Sequence, residues 1–140
     1  MTLYTNHVVW KGGHLGFSTC ENGAAMDFSA PPSLYGHPHM MTPEDAYMMA
    51  VNTCMHMMIL WAAERFKLNL VAFECEAVGE VEELIDQTSW FRSVTLKPRL
   101  KVQGASEKSV LRALQVARKY STIAESLKSE IIMEPSVEIV

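Results

Sequence analysis

Polar and apolar residues alternate at both ends of this chain and run together in its middle. Residues 3–10, LYTNHVVW, are strand formers that stop at Gly12-Gly13, and 14–20 return as a second strand. Asn22-Gly23 is a hairpin signal leading into a third strand, AAMDFSA. Pro31 and Pro32 end this antiparallel meander, and PPSLYGHPHM reads as a loop.

The pattern then changes period. Thr42 is a good N-cap, Pro43 suits the first helical position, and Glu44 and Asp45 favour the positive end of the helix dipole. A helix is expected from residue 42 or 43 to about Phe66, roughly 36 Å at 1.5 Å per residue. Between Ala46 and Ala63 it is apolar nearly all round, interrupted by Asn52, Thr53, Cys54 and His56. Such a helix needs cover on every side. A membrane span is disfavoured by those mid-segment polar groups and by the lack of flanking basic anchors.

Alternation resumes in LNLVAFECEAV, residues 68–78, with Val71, Phe73, Cys75 and Ala77 on one face. VEELID reads as one helical turn, and WFRSVTLKPRLKV as another strand. Ser106 caps a second helix whose apolar positions, Val110, Leu114, Ala117, Ala124 and Leu127, keep the 3.6 period. Ser121 falls on that stripe. The end, IIMEPSVEIV, is a last strand interrupted at Pro135, which prefers a sheet edge. The order β-β-β-α-β-β-α-β describes an α+β protein with antiparallel sheets around a long central helix. At 140 residues it is expected to be one domain, 1–140. One sheet covers only one side of the long helix, so a homodimer is expected to supply the rest.

Charge narrows the partners. The formal net charge is −4 and no cluster of Lys and Arg stands out, which argues against nucleic acid. MTLYTNHVVW has neither the basic nor the long apolar region of a signal peptide, so a cytoplasmic location is expected. Cys20, Cys54 and Cys75, odd in number and widely spaced, fit free thiols in a reducing compartment.

Cys54 has two readings, a reactive thiol or a small core hydrophobe. Cys75 shares a strand face with apolar residues and reads as core. Cys20, beside a turn, is a candidate resolving partner. Glu44 has a structural role as a first-turn acid; ten helical residues, roughly 15 Å, separate it from Cys54 on a different face, so joint action needs a bend or a second subunit. His37, His39, Met40, Met41, Cys54 and His56 invite a metal reading. Cys54 and His56 point about 200° apart, however, and His-Pro-His lacks a four-ligand zinc pattern, so no metal is expected. Met48, Met55, Met58 and Tyr35 are taken as lining for an apolar ligand.

KGGH in the first turn, TPEDAYMMAVNTCMH on the central helix and LQVARKYSTIAESL before a terminal strand resemble the OsmC/Ohr family, the osmotically induced and organic hydroperoxide resistance proteins. The resemblance spans nearly the whole chain. It implies an intertwined homodimer and reduction of organic hydroperoxides by a cysteine thiolate, at the position of Cys54, with Glu44 matching the family's Pro-Glu pair. Two positions depart from the active members: His14 stands where they carry an arginine after the Gly-Gly turn, and Ser121 where they carry a second cysteine. The resemblance thus implies a one-Cys peroxidase in which His14 supplies the cation. No bound cofactor is expected, and an external thiol, by family resemblance a dihydrolipoyl group, would be the reductant. The alternative is a non-catalytic member that keeps the pocket for a small apolar ligand.

Overall fold

The computed structural model describes all 140 residues and divides into two compact units, Met1–Tyr47 and Met48–Val140. The first holds a three-stranded antiparallel meander of β1 (Asn6–Trp10), β2 (Leu15–Cys20) and β3 (Ala25–Ser29). Its first turn depends on glycine, because Gly12 and Gly13 have φ of 93° and 55°, the left-handed region that side chains disfavour. Trp10 Nε1 donates to the Gly13 carbonyl across this turn at 3.0 Å. In the second turn Asn22 Oδ1 accepts from the Ala24 amide at 3.0 Å. The breaker-rich loop folds back on the meander, where Ser29 Oγ accepts from the His37 amide and Ser29 N–H donates to the Met41 carbonyl.

Helix α1 (Pro43–Arg65) begins in this unit. Thr42 Oγ1 accepts from the Asp45 amide at 3.1 Å, and Asp45 Oδ2 accepts from the Thr42 amide at 3.0 Å. This reciprocal box satisfies two helix-end donors and holds the start of α1 where the sequence places it.

In the second unit, β4 (Asn69–Glu83) and β5 (Ser89–Gln103) form a long antiparallel hairpin, with α2 (Glu107–Tyr120), α3 (Thr122–Glu125), β6 (Glu130–Met133) and β7 (Ser136–Ile139) completing it. Val51, Met55 and Ile59 of α1, Val94, Leu96 and Val102 of β5, and Val110 of α2 are all at most 1% exposed and form its core. Ile59, Leu100, Val102, Val110 and Leu114 converge on one interior point between these elements. The buried stripe of α1 follows the 3.6-residue period, while Met49 and Met57 on other faces remain 46% and 57% exposed. By length and composition alone α1 could cross a membrane, a property shared with core helices.

Three local expectations are corrected. VEELID is not a helical turn: residues 81–83 continue β4, and the chain reverses at 84–88, where Asp86 Oδ1 accepts from the amide and hydroxyl of Thr88. Pairing with β5 overrides the local helical preference of Glu and Leu. The second helix does not run through to Leu127; it ends at Tyr120, and a short α3 restarts after Ser121. The last segment is two strands, and both run parallel to β5, so this sheet is mixed. β6 pairs with β5 through Leu96 and β7 from Arg99, so the break at Pro135 lies opposite Pro98, which has no N–H to donate to a neighbouring strand.

Met55 is the largest fully buried side chain of this core. Met55→Ala should lower stability by about 2 to 5 kcal/mol through lost transfer energy plus a cavity. Chemical denaturation should show a lower midpoint with an unchanged slope.

Candidate functional site

Cys54 lies between the core positions Val51 and Met55 on α1 and is partly exposed. Its sulfur has one polar neighbour of note: Ser121 Oγ donates to Cys54 Sγ at 3.2 Å. Ser121 itself is fully buried, ends α2 and caps α3, where its Oγ accepts from the Ala124 amide at 3.3 Å. The hydroxyl is therefore held from both sides, receiving a backbone N–H and directing its own proton at sulfur. The position on the α2 stripe and the extended backbone at Ser121, φ −72° and ψ 107°, bring it there. A donor fixed at this distance can solvate negative charge on sulfur without reorganising.

The other expected site residues are distributed as follows. His14 follows the Gly12-Gly13 turn in the first unit, exposed, with its ring 6.3 Å from that of Tyr35. Tyr35 is 84% exposed, in the left-handed conformation with φ 65°. Glu44 is exposed in the first turn of α1. Met48 lies over Gly79, where an added Cβ would come within 2.5 Å of its sulfur. Met55 is wholly enclosed in the core, so it does not line an open pocket: its place on the Val51–Ile59 stripe turns it inward. Met58 lines an open cavity together with Trp61. No group of three His, Cys, Asp or Glu side chains converges in a way that could hold a metal ion.

The remaining thiols differ in setting. Cys20 is exposed at the end of β2, with Asn6 Nδ2 donating toward its sulfur at 3.8 Å. Cys75, on β4, is half-buried, and that burial pushes its thiol above the usual range, partly offset by a hydrogen bond from the Lys97 backbone. Asn52, which the sequence shows only as a polar exception on α1, donates to the Cys75 carbonyl at 3.0 Å and leaves its Oδ1 buried without a partner. Together with Thr53, His56 and Met57 these residues border a cavity of about 360 Å³. His56 stands edge-on to Phe73 at 5.0 Å.

Two groups that sequence reading passes over are the Ser121 cap and a set of cations around Trp61 and Tyr120. Each could have been found from spacing. Ser121 begins an S-x-x-A turn directly after a basic helix end, and Arg65 follows Cys54, Met58 and Trp61 at 11, 7 and 4 residues.

Two outcomes test this geometry. Ser121→Cys should close a disulfide with Cys54 on mild oxidation, lowering the free-thiol count by two, because sulfur would replace an oxygen already 3.2 Å away. A count that stays the same would contradict the placement of α2 against α1. In the native chain at mildly alkaline pH, Cys75 should alkylate more slowly than Cys20, since the thiolate is the reacting form and burial disfavours it at Cys75; peptide mapping after a timed alkylation reads the order.

A family model described as OsmC-like protein matches residues 36–136. A search of curated proteins found no match. Among solved structures, an OsmC-like protein from Vibrio cholerae superposes with TM-score 0.87 at 19% identity, covering 96% of this chain and 99% of that one. An OsmC-like protein from Mycoplasma pneumoniae gives 0.82 at 13%, with 99% and 98% covered. An organic hydroperoxide resistance protein from Elizabethkingia anophelis gives 0.72 at 15%, with 99% of both chains covered. The likenesses establish a shared fold, and with the family match over most of its length the chain belongs to the OsmC-like protein family.

Proposed function

We propose that this protein is a thiol peroxidase that reduces organic hydroperoxides through Cys54 alone, at a site completed in a homodimer. The observation that carries the reading is the Ser121 hydroxyl donating to Cys54 Sγ on the central helix. Family membership supports it, as does the name of the structural neighbour from Elizabethkingia anophelis, an organic hydroperoxide resistance protein.

In this reading the Cys54 thiolate attacks the outer oxygen of the peroxide. The S–O bond forms as the O–O bond breaks, and the departing alkoxide takes a proton to leave as alcohol. His14, at the position where the active members of the resembling family carry an arginine, is the proposed source of the balancing cation and of that proton, with Glu44 orienting it. Sulfur is oxidised to sulfenic acid and the peroxide is reduced by two electrons. Ser121 has no sulfur with which to resolve this product. An external dithiol such as a dihydrolipoyl group therefore attacks the sulfenic sulfur, releases water, closes its own disulfide and restores the thiol. The homodimer covers the faces of α1 that one chain leaves exposed, such as those bearing Met49 and Met57. A cytoplasmic setting, which keeps thiols reduced, suits the chemistry.

A second reading, a non-catalytic member that binds a small apolar ligand, is favoured by the same serine. It sits at the end of α2, where the active members of the resembling family carry their second cysteine.

Stopped-flow mixing with cumene hydroperoxide separates the two. Under the first reading the native protein consumes one equivalent of peroxide and loses the Cys54 thiol, and Cys54→Ser does neither; equal rates for both proteins would transfer the case to the binding reading. His14→Ala should slow peroxide consumption by removing the balancing cation, and His14→Arg should retain it. A rate unchanged by His14→Ala would remove His14 from the mechanism.

A further inference from the structure

Cys54 Sγ receives the Ser121 hydroxyl proton at 3.2 Å, and that hydroxyl has little freedom to turn elsewhere. Its oxygen accepts from the Ala124 amide at 3.3 Å, and Ser121 is fully buried, so no solvent competes for its proton. Cys54 itself is partly exposed. The sulfur is therefore engaged by one donor from the buried side and open on the other, the side from which a peroxide must arrive.

The oxidised sulfur inherits this arrangement. Once oxygen has been delivered from the open side, Ser121 still donates to a sulfur lone pair from the buried side. A sulfenic acid has two onward reactions. In one, sulfur is the nucleophile: its lone pair attacks a second hydroperoxide, a second S–O bond forms as the O–O bond breaks, and sulfinic acid and another alcohol result. In the other, sulfur is the electrophile: a thiolate attacks it, an S–S bond forms as the S–O bond breaks, and the oxygen leaves as water. A hydrogen bond to sulfur draws electron density from it, which slows the first reaction and favours the second.

The choice matters in this chain because the sulfenic acid has to wait. The other thiol of the same unit, Cys75, borders a separate cavity with Asn52, whose side chain leaves α1 about 200° from that of Cys54. Cys75 is also half-buried, which disfavours the thiolate that resolution needs. A product that depends on a dithiol from solution stays open to further peroxide in the meantime, and sulfinic acid is a dead end for thiol turnover.

We infer that Ser121 is a positioning residue that partitions oxidised Cys54, directing its sulfenic acid toward reduction by thiols and away from over-oxidation. The inference rests on the peroxidase reading and adds to it the step that follows the first oxidation.

The test compares the native chain with Ser121→Ala, Ser121→Gly and Ser121→Thr during turnover of cumene hydroperoxide, with dithiothreitol as the dithiol. Two quantities are read from each sample: the cumyl alcohol released, which counts turnovers, and the fraction of Cys54 carrying two oxygens by peptide mass. Their ratio reports the fate of one intermediate and is independent of how much active protein is present. Ser121→Ala should raise sulfinic Cys54 per turnover by about three- to tenfold, the range expected when a hydrogen bond to a charged group is lost and about half its strength is felt in the barrier. Ser121→Gly should rise equally, because glycine is tolerated as an N-cap and so separates the lost hydroxyl from the lost cap of α3. Ser121→Thr keeps both hydroxyl and cap and should stay near the native ratio. An unchanged ratio in Ser121→Ala, with alcohol still released, would overturn the inference and leave the peroxidase reading standing. A rise confined to Ser121→Ala, or shared by Ser121→Thr, would assign the effect to capping or packing and overturn it as well. A native chain that releases no alcohol would overturn the peroxidase reading and the inference with it.

Discussion

A helix of 23 residues that is apolar on nearly every face imposes the main constraint on this protein. One stripe, Val51, Met55, Ile59 and Ala62, is buried against β5 and α2 within the chain, and every later element is arranged to make that burial possible. The β4–β5 hairpin supplies a long sheet face, α2 lies beside it with Val110, Ala113, Leu114 and Ala117 turned inward, and the split last strand thickens the edge. The stripe accounts for only part of the helix's apolar surface. Methionines populate the remainder, and their flexible thioethers suit a surface that must pack against more than one neighbour. This demand for further cover underlies the proposed homodimer.

The same constraint determines what Cys54 can do. A thiol between two fully buried core positions has few polar neighbours, so the Ser121 hydroxyl has unusual influence over it. Serine serves two needs at that point, capping the short α3 and donating to sulfur. A cysteine there would offer a resolving thiol but a weaker cap. The chain therefore keeps an oriented hydrogen bond where the active members of its family resemblance keep a redox partner, and the proposed chemistry shifts its second half to an external dithiol.

Charge is distributed as unevenly as apolar surface. The hairpin's acidic residues pair with cations across the sheet, as in Arg99–Glu74 and Arg92–Glu80, whereas the groove between α1 and α2 holds cations over aromatic rings instead. Exposed ion pairs of the first kind add little stability. Cations held over rings are equally modest in energy but leave donors unspent.

The sequence alone determined the features that depend on short-range chemistry. Gly12-Gly13 and Asn22-Gly23 placed the first turns, Thr42-Pro43 placed the start of α1, and alternation through 68–78 and 90–102 placed the hairpin strands. The family motifs placed Cys54 on the long helix. Tertiary structure decided what depends on partners distant in sequence. Residues 81–83 became strand because β5 was there to pair with them, and the last segment, interrupted at Pro135 as its sequence foretells, runs parallel rather than antiparallel because β5 is the strand it meets. Whether the Ser121 hydroxyl would reach Cys54 depended on where α2 stopped, and whether Arg65 and Arg112 would share a groove depended on how α1 and α2 packed. Local pattern specifies which face of an element is apolar; the partner it meets there, and the polar groups carried alongside, follow only from long-range packing.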